Sequence, residues 1–227
     1  MPIEKVQDDT ILQLGSMPEG RLAVHGKRCV VRIGKHAVVN CHIWLQGAGT
    51  VLEIGDRCTL NGGIHVVRGE GGIIRIGDRT TFNGVGMSMH EAGRIEIGED
   101  CMFSTDVHMD VSDMHPIYDR ATGERVNPPR DIIIGNHVWI GTRVFLNKGA
   151  RIGEGAVVGG GSMVVGEIPP HCLAVGTPAR VVRENIEWRR EFDEIVTPKP
   201  RTAPAPRPAP KRGWLDRLPR LGQNAKQ

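Results

Sequence analysis

The chain has 227 residues, of which 30 are glycine and only 4% are aromatic, and its formal net charge is +3. This length allows one domain of moderate size plus a tail, and the scarcity of aromatic side chains argues against a broad globular core, which usually draws on more aromatic area. Residues 197–227 hold eight cations and one anion, so the rest of the chain is net negative, and a folded body of that charge does not fit a nucleic-acid-binding domain.

The number and spacing of the cysteines indicate the cellular compartment in which the protein folds. The five cysteines are odd in number and include no Cys-x-x-Cys pair, so a disulfide scaffold is not indicated. Cys58 and Cys101 each come four residues after the isoleucine of an Ile-Gly pair, where we expect small buried side chains. The first residues lack the pattern of a signal peptide, and no apolar run reaches the length of a membrane span. We therefore expect a protein of the reducing cytoplasm.

The first 26 residues show no repeat. We expect residues 1–26 to cap or pack beside the first coil of a repeat domain, since such domains need covered ends. The repeat then begins as Ile-Gly pairs, each preceded by an alternation of apolar and polar residues that is typical of a strand. The pairs are spaced by 21, 22 and 21 residues and start at Ile33, Ile54, Ile76 and Ile97. We interpret each interval as an eighteen-residue coil with a few extra residues at one corner.

A stricter repeat runs from Asp131 to Arg183. An aliphatic residue returns there every six positions, at Ile134, Ile140, Leu146, Ile152, Val158 and Val164. Six residues match neither the helical period of 3.6 nor the strand period of 2, and three hexapeptides make one triangular coil of a parallel β-helix. The aliphatic side chains point inward, and a following glycine or asparagine lets the chain bend at a corner. The sequence predicts an all-β fold, a parallel β-helix over residues 27–184.

One interval of the repeat is much longer than the others. Ile97 and Ile134 are 37 residues apart, and residues 112–130 between them are polar, rich in turn formers and free of the repeat. We expect this stretch to loop out of the β-helix. Long loops within compact repeat proteins commonly carry function.

Two different segments follow the repeat. Residues 185–196 combine a capping Asn185 with helical spacing of apolar side chains, which predicts a short helix over the last coil. Residues 197–227 begin with closely spaced prolines, typical of a polyproline-like tether without a core. The cations and apolar residues of this tail could hold the protein at anionic lipid on the inner face of the membrane or at a glycan-assembly partner. A solvated, disordered tail explains the same composition.

His115, in the loop, is the best candidate for chemistry. An imidazole exchanges a proton near neutral pH, Pro116 stiffens the backbone beside it, and Asp113 could fix its tautomer through a hydrogen bond. The alternative is an exposed loop histidine without a catalytic role. The nine histidines show no pair at a spacing that nucleates a metal site, so we expect no metal.

The motifs around this loop resemble those of the hexapeptide-repeat O-acetyltransferases, which include the maltose and galactoside acetyltransferases and the polysaccharide and sialic-acid O-acetyltransferases. The similar runs are Asp-Met-His-Pro, Asn-Pro-Pro-Arg, Ile-Ile-Ile-Gly-Asn-His-Val-Trp-Ile-Gly and, in the last coil, Glu-Ile-Pro-Pro-His-Cys-Leu-Ala-Val-Gly-Thr-Pro-Ala-Arg-Val-Val-Arg. They lie within residues 97–185. The resemblance implies a left-handed β-helix, a homotrimer with active sites between neighbouring subunits, acetyl-CoA as the donor and a carbohydrate as the acceptor.

The same resemblance implies roles for single residues. His115 would be the general base for a sugar hydroxyl, Trp139 would lie near the reacting acetyl group, and Asn83 would contact the acceptor. The residues that would line the acetyl-CoA site are Thr142, Gly160, Gly161, Val165, Arg180 and Arg183. The small residues would border the pantetheine arm, and the arginines would meet the phosphates. Where the family often has Thr-Lys, this chain has Val165-Gly166, which removes a hydroxyl and a cation from the nucleotide end.

Each of these residues also has a purely structural interpretation. Trp139 could be a surface aromatic residue, Asn83 and the glycines could serve corner geometry, and the arginines could belong to a solvated face. We predict an acetyl-CoA-dependent O-acetyltransferase that acts on a carbohydrate destined for a cell-surface polysaccharide. The alternatives are a xenobiotic (antibiotic) acetyltransferase on the same scaffold and a non-catalytic β-helix scaffold.

Overall fold

The computed structural model describes residues 3–192. Within this range the regular structure is entirely β, and no helix occurs. The strands are, in chain order, β1 (Ile3–Val6), β2 (Ile11–Leu14), β3 (Arg21–Val24), β4 (Val30–Ile33), β5 (Val38–Leu45), β6 (Val51–Ile54), β7 (Thr59–Val66), β8 (Ile73–Ile76), β9 (Thr81–Met89), β10 (Arg94–Ile97), β11 (Met102–Phe103), β12 (Val107–Asp110), β13 (Ile132–Ile134), β14 (Trp139–Ile140), β15 (Phe145–Leu146), β16 (Arg151–Ile152), β17 (Val157–Val158), β18 (Met163–Val164), β19 (Glu167–Ile168), β20 (Leu173–Gly176) and β21 (Ala179–Arg183). Among the described residues, no helix has the length and apolarity needed to cross a membrane.

The strands stack into a β-helix of about seven turns, consistent with the left-handed type. An eight-stranded sheet, here called the charged face, contains β2, β4, β6, β8, β10, β13, β16 and β19. A thirteen-stranded sheet bends over a corner and forms the other two faces. The Trp139 face contains β11, β14, β17 and β20, and the cleft face contains β1, β3, β12, β15 and β18. The long strands β5, β7 and β9 span both of these faces. The predicted parallel β-helix is confirmed.

The interior is a narrow column of aliphatic side chains. The six aliphatic residues of the strict repeat are each at most 3% exposed. Phe82 and Phe103, on neighbouring coils, meet edge to face with ring centroids 4.7 Å apart, a favourable aromatic geometry. All five cysteines are free and buried, which confirms the expectation for Cys58 and Cys101. Burial raises the pKa of the Cys41 thiol to about 12, so this side chain packs as a small apolar group.

The charged face carries residues of alternating charge at one position of successive strands. Arg32, Glu53, Arg75 and Glu96 pair in register across β4, β6, β8 and β10. Glu53 accepts hydrogen bonds from both arginines, and the one from Arg75 is the main reason that its pKa lies below the ordinary value. Exposed ion pairs contribute only about 0–1 kcal/mol each. Their chief effect is on register, because a slip of two residues would break every pair.

The predicted N-terminal boundary is wrong, because residues 3–24 already form a coil. Strands β1, β2 and β3 pair in parallel with β3, β4 and β5, so the β-helix begins at β1 and not at residue 27. Leu22 is fully buried in the same core. This first coil uses Leu14-Gly15 in place of Ile-Gly, and the Gly15 N–H donates to the Ile33 carbonyl at 2.7 Å.

The helix predicted over residues 185–196 is absent from residues 185–192. Residues 193–196 and the tail, 197–227, lie outside the described residues. The non-helical backbone lets Trp188 fold against His137, where the indole N–H donates to the His137 carbonyl at 2.8 Å and the rings stack 4.1 Å apart. These contacts need the backbone to leave the helical path, and they override the local helical pattern. The compact unit that contains the β-helix ends at Trp188.

The loop predicted at residues 112–130 projects from the β-helix. Its neck closes where the Arg130 N–H donates to the Val111 carbonyl at 2.9 Å, and Tyr118 and Arg125 form an antiparallel bridge within it. We call its corner, between the cleft face and the charged face, the loop edge. The opposite corner of the cleft face, which borders the Trp139 face, is the glycine edge and carries Thr142, Gly160 and Gly161. The two edges flank the cleft face.

The glycine of each Ile-Gly pair lies where one coil passes close to the next. A Cβ on Gly77 would come within 2.6 Å of the Gly98 carbonyl carbon and 2.7 Å of the Glu99 nitrogen. The Gly77 N–H also donates to the Ile97 carbonyl at 2.8 Å, so the two backbones cannot separate without losing a hydrogen bond. Glycine is therefore required at this position by lack of space.

Gly77→Ala is expected to lower the free energy of unfolding by about 1–3 kcal/mol, because the added methyl group forces two coils apart. Gly166→Ala is the matched control, since a Cβ there meets no atom within 4 Å and its φ is not positive. That change should leave the free energy unchanged or raise it by up to about 1 kcal/mol. Urea denaturation at equal protein concentration measures both, and equal stabilities would contradict the steric role of Gly77.

Candidate active site

A cleft of about 280 Å³ opens on the cleft face at the root of the 112–130 loop. The cleft is lined by Ser88, His108, Met109, Asp110, Ser112, Asp113, Met114, Phe145, Leu146, Asn147 and Lys148. A concave surface that mixes apolar side chains with a few polar and charged groups is typical of ligand sites. A larger depression of about 710 Å³ on the charged face is lined by its ion-paired side chains and contains none of the predicted site residues. The smaller cleft is therefore the better candidate.

Asn127, which is 7% exposed, holds the loop at its root. Its side-chain NH₂ donates to the His115 carbonyl and to the Asp113 carboxylate, both at 2.9 Å. Its side-chain oxygen accepts the Ile117 N–H at 2.6 Å and the Arg125 Nε–H at 3.3 Å. Asn127 thus binds the His115 carbonyl, the Ile117 N–H that follows it and the Asp113 carboxylate that precedes it, and one amide group twelve residues away sets where His115 lies.

Two ion pairs tie the loop to the β-helix. Arg125 donates to both carboxylate oxygens of Glu91, at 2.6 and 2.7 Å, and a bidentate pair of this kind fixes orientation as well as distance. Lys148, whose side chain is largely buried, binds Asp113 at 2.5 Å. The hydrogen bond from Lys148, followed by that from Asn127, holds the pKa of Asp113 below its ordinary value. The Asp113 carboxylate is therefore a structural anion at the loop root.

The expected hydrogen bond between Asp113 and the His115 imidazole is not formed. The carboxylate binds Lys148 and Asn127, while the two residues are joined by the backbone, through the His115 N–H and the Asp113 carbonyl at 2.7 Å. Met114 between them has a φ of 64°, which turns the chain so tightly that the carboxylate faces the root of the loop. The His115 side chain is exposed and has no hydrogen-bonding partner among residues 3–192. Asp113 therefore does not set the tautomer of the imidazole.

Two His–Asp pairs at the cleft were not identified from the sequence. His90 Nδ1 lies 2.6 Å from Asp110 Oδ2, and His108 Nε2 lies 2.9 Å from Asp106 Oδ1. The His108 ring also stacks on Phe145, at 5.4 Å and 21°. The outward positions of the strand alternation in β12, which hold His108 and Asp110, are the signal that could have found them. Among residues 3–192, no group of three or more His, Cys, Asp or Glu side chains is arranged to hold a metal ion.

Three residues assigned to acetyl-CoA lie together on the glycine edge. The Gly161 N–H donates to the Thr142 carbonyl at 2.8 Å, and a Cβ on Gly160 would lie 3.0 Å from the same oxygen. A Cβ on Gly161 would meet no atom within 4 Å, so the backbone there is open to a ligand. Asn83 lies on the same edge two coils away, in a β-bulge that places two residues of β9 opposite one of β7. Bulges often re-aim a side chain beside a functional site.

The last two strands form an antiparallel hairpin that aligns Arg180 with Arg183. Residues three apart in a regular strand face opposite sides of the sheet. Here the register shifts beside Leu173, so that Arg180 lies opposite Val175 and Arg183 lies opposite Leu173. Because Leu173 and Val175 are two apart and share one side of β20, the side chains of both exposed arginines start from that side, and Arg180 Nη1 also donates to the Ala179 carbonyl at 3.0 Å. Two cations so placed suit a phosphate-bearing ligand.

Trp139 and Val165 lie away from these groups. Trp139 is 37% exposed on the Trp139 face, with its ring centroid 6.1 Å from that of the buried Trp188. Val165 is exposed on the loop edge, one coil beyond Lys148. The loop edge, which carries His115, lies opposite the Trp139 face of the same triangular coil. A single chain therefore does not bring His115 and Trp139 together.

The arrangement supports proton transfer to and from a bound hydroxyl group. His115 is not in the lining of the cleft, but it directly follows Asp113 and Met114, which are, and the braced loop carries its exposed imidazole next to the hydroxyl, carboxylate and ammonium groups of that lining. The imidazole can act as a general base once a hydroxyl is held within hydrogen-bonding distance. The open backbone of the glycine edge and the paired arginines offer binding to an extended, anionic ligand.

Comparisons by sequence and by structure both find polysialic acid O-acetyltransferases among the proteins similar to this chain. No protein-family model matches the chain. It is 36% identical over 174 residues to a polysialic acid O-acetyltransferase of Neisseria meningitidis, and the aligned stretch covers 76% of this chain and 80% of that relative. It is also 36% identical over 160 residues to a polysialic acid O-acetyltransferase of Escherichia coli O1:K1 / APEC. That aligned stretch covers 70% of this chain but only 45% of the relative. The crystal structure of the polysialic acid O-acetyltransferase OatWY matches with a TM-score of 0.72 and 32% identity, over 85% of this chain and 90% of that one.

Asn127→Ala is expected to loosen the loop, because it leaves the Ile117 N–H and the His115 carbonyl without their partner. Hydrogen exchange in peptides from residues 112–130 should become about tenfold faster, the factor that corresponds to ~1.4 kcal/mol. Asn40→Ala, which removes an exposed amide with one 3.3 Å hydrogen bond, should leave exchange in these peptides unchanged. Exchange that is equally slow in both variants would show that Asn127 does not anchor the loop.

Proposed function

Because the chain belongs to the family of hexapeptide-repeat O-acetyltransferases, we propose that it transfers the acetyl group of acetyl-CoA to a hydroxyl group of a cell-surface polysaccharide. Polysialic acid, the substrate named for its relatives, is the first acceptor to test. The observation that carries the proposal is the exposed His115 imidazole on a braced loop beside the cleft. A scaffold protein has no need of such a loop, and the named relatives favour a polysaccharide over a xenobiotic.

In this proposal His115 is the general base. A neutral imidazole nitrogen accepts the proton of the sugar hydroxyl while its oxygen bonds to the carbonyl carbon of the acetyl thioester. The imidazolium then gives that proton to the sulfur as the carbon–sulfur bond breaks. Base catalysis contributes about 10²–10⁴-fold, and placing both substrates in one site supplies much of the remainder. A backbone N–H of the coil is assigned to the charge that develops on the carbonyl oxygen. Asp113 acts as a brace for the loop.

The glycine edge and the last hairpin are proposed to bind acetyl-CoA. Its pantetheine arm lies against Thr142, Gly160 and Gly161, where the open backbone leaves room for an extended chain. Arg180 and Arg183 meet its phosphates. This fit is supported by continuity, since the hairpin extends the Trp139 face, which borders the glycine edge. Val165, on the loop edge, reaches the same ligand only from a neighbouring subunit, and it offers no hydroxyl or cation there.

We further propose that the active site is completed between subunits of a homotrimer. The loop edge carries His115, whereas the opposite part of each coil carries Trp139 and, at the glycine edge, Asn83 and the donor site. Three copies around a common axis place the loop edge of one copy against the glycine edge of the next. Trp139 then borders the acetyl group and Asn83 contacts the acceptor.

The proposed location is the cytoplasm, where five free cysteines fit a reducing environment. Residues 197–227, outside the described residues, carry the cations through which we propose contact with the inner face of the membrane or with a glycan-assembly partner. That contact would keep the enzyme near a growing polysaccharide.

His115→Asn is expected to lower the rate of acetyl transfer to polysialic acid by about 10²–10⁴-fold, because the general base is lost. Its thermal stability and its affinity for CoA should stay unchanged, since the ring is exposed and is not one of the groups proposed to hold the pantetheine arm or the phosphates. His36→Asn, at an exposed corner with a φ of 58°, is the matched control and should keep full activity. Turnover by His115→Asn at the wild-type rate would reject the base assignment.

Mixing two inactive variants tests the shared site. His115→Asn and Trp139→Ala chains, co-expressed, should regain part of the activity, because mixed trimers contain some sites with His115 from one chain and Trp139 from another. Each variant alone is the control. No recovery, in mixed assemblies whose composition is verified by mass spectrometry, would place both residues in one chain.

A further inference from the structure

A group of rings lies on the cleft face at its N-terminal coils, away from the cleft. We call it the ring patch, and it consists of His25, His42, Trp44 and His65. The Trp44 ring centroid lies 5.4 Å from that of His25 and 5.9 Å from that of His42, and His42 meets His65 edge-on at 5.3 Å. Trp44 is 39% exposed. An exposed indole that packs against neighbouring rings is common at binding surfaces.

Strand register connects the ring patch to the cleft. His42 lies opposite Gly63 on the next coil, Gly63 lies opposite Gly86, and Gly86 lies opposite His108, which lines the cleft. These three steps between strands cover about 14 Å. Along this line the two intermediate positions are both glycine, so no side chain at those positions separates the patch from the cleft.

The two glycines also give the neighbouring imidazoles room to lie over the sheet. A Cβ on Gly86 would be 2.9 Å from His108 Nδ1, and one on Gly63 would be 3.4 Å from His65 Nε2. The His108 ring therefore lies over the backbone of Gly86, and the His65 ring lies over the backbone of Gly63. The result is a shallow track of rings that leads from Trp44 to the cleft.

The chemistry of this track fits a carbohydrate chain. A sugar ring offers an apolar C–H face to an indole and hydroxyl groups to an imidazole, and a neutral imidazole carries one donor and one acceptor. Burial, with a smaller effect from His42, lowers the pKa of His65, which favours that neutral form. Beside the patch, a cavity of about 420 Å³ on the loop edge is lined in part by His25, Lys27 and Arg68, with Glu70 as the single anion of its lining, so that its net charge is positive. The two cations complement the carboxylates of an acidic sugar polymer.

We propose that the ring patch is a second carbohydrate-binding subsite, which holds units of the polymeric acceptor that are remote from the unit being acetylated. The identity of the polymer rests on the proposed function. Attachment at two places raises the effective concentration of acceptor hydroxyls at the cleft. The protein then prefers chains long enough to reach from the cleft to Trp44. The alternative role of the ring patch is to form a contact between two copies of this chain.

Binding measured in the His115→Asn background tests the subsite independently of catalysis. The probes are polysialic acid and a short sialic acid oligomer, with calorimetry as the readout. Adding Trp44→Ala is expected to raise the Kd for the polymer by roughly two- to tenfold, the effect of one aromatic contact, and to leave the Kd for the oligomer unchanged. Ile11→Ala is the control, because Ile11 is 51% exposed on the charged face, and it should change neither.

Several results would overturn the subsite. They are absence of polymer binding to the parent protein, an unchanged Kd for the polymer in the Trp44 variant, and equal weakening for both probes. A lower molar mass of Trp44→Ala in light scattering would assign the ring patch to contact between copies instead. Failure of the proposed function has a different signature. Wild-type protein that binds the polymer with the Trp44 dependence but transfers no acetyl group would keep the subsite and lose the activity.

Discussion

Backbone hydrogen bonds between stacked coils hold this protein together, and they bring the coils so close that a Cβ on the glycine of an Ile-Gly pair has no space. Gly77 shows the constraint, with the backbone of the next coil only 2.6 Å from where its Cβ would be. The same stacking makes the interior a narrow column, which suits aliphatic side chains and leaves room for few rings such as Phe82 and Phe103. Composition, period and architecture therefore have one physical cause.

Stacking also decides how a site can be built on this scaffold. Residues about 20 positions apart become neighbours on one face, as His90 and Asp110 do, while residues on different faces stay apart however close they are in sequence. An insertion at a corner leaves the stack intact if its neck closes, and the hydrogen bond between Arg130 and Val111 closes this one. The functional loop is thereby attached to a rigid support, and Asn127 transmits that rigidity to His115.

The division of the candidate residues between two edges has a consequence for assembly. A triangular coil has no concave side, so a deep site can form only where a loop or a second molecule closes over a face. The loop supplies one wall of the cleft beside His115. The open glycine edge and the aligned arginines lie on the other side of the cleft face. The proposed trimer would supply such a second molecule, and the track of rings crosses successive strands along the axis of the stack.

The sequence alone determined the β-helix and the extruded loop, because a six-residue period and its interruption can be read directly along the chain. It also pointed to His115, the one imidazole in that loop. It missed the first coil, where Leu14-Gly15 replaces the Ile-Gly signal, and it predicted a helix where Trp188 instead packs on His137. Only the tertiary structure showed that Asp113 binds Lys148, that Asn127 sets the position of His115, and that a bulge aligns Arg180 with Arg183. These contacts join the loop to a neighbouring coil, join two distant parts of the loop, or depend on a one-residue shift of register, and none of them leaves a periodic trace in the chain.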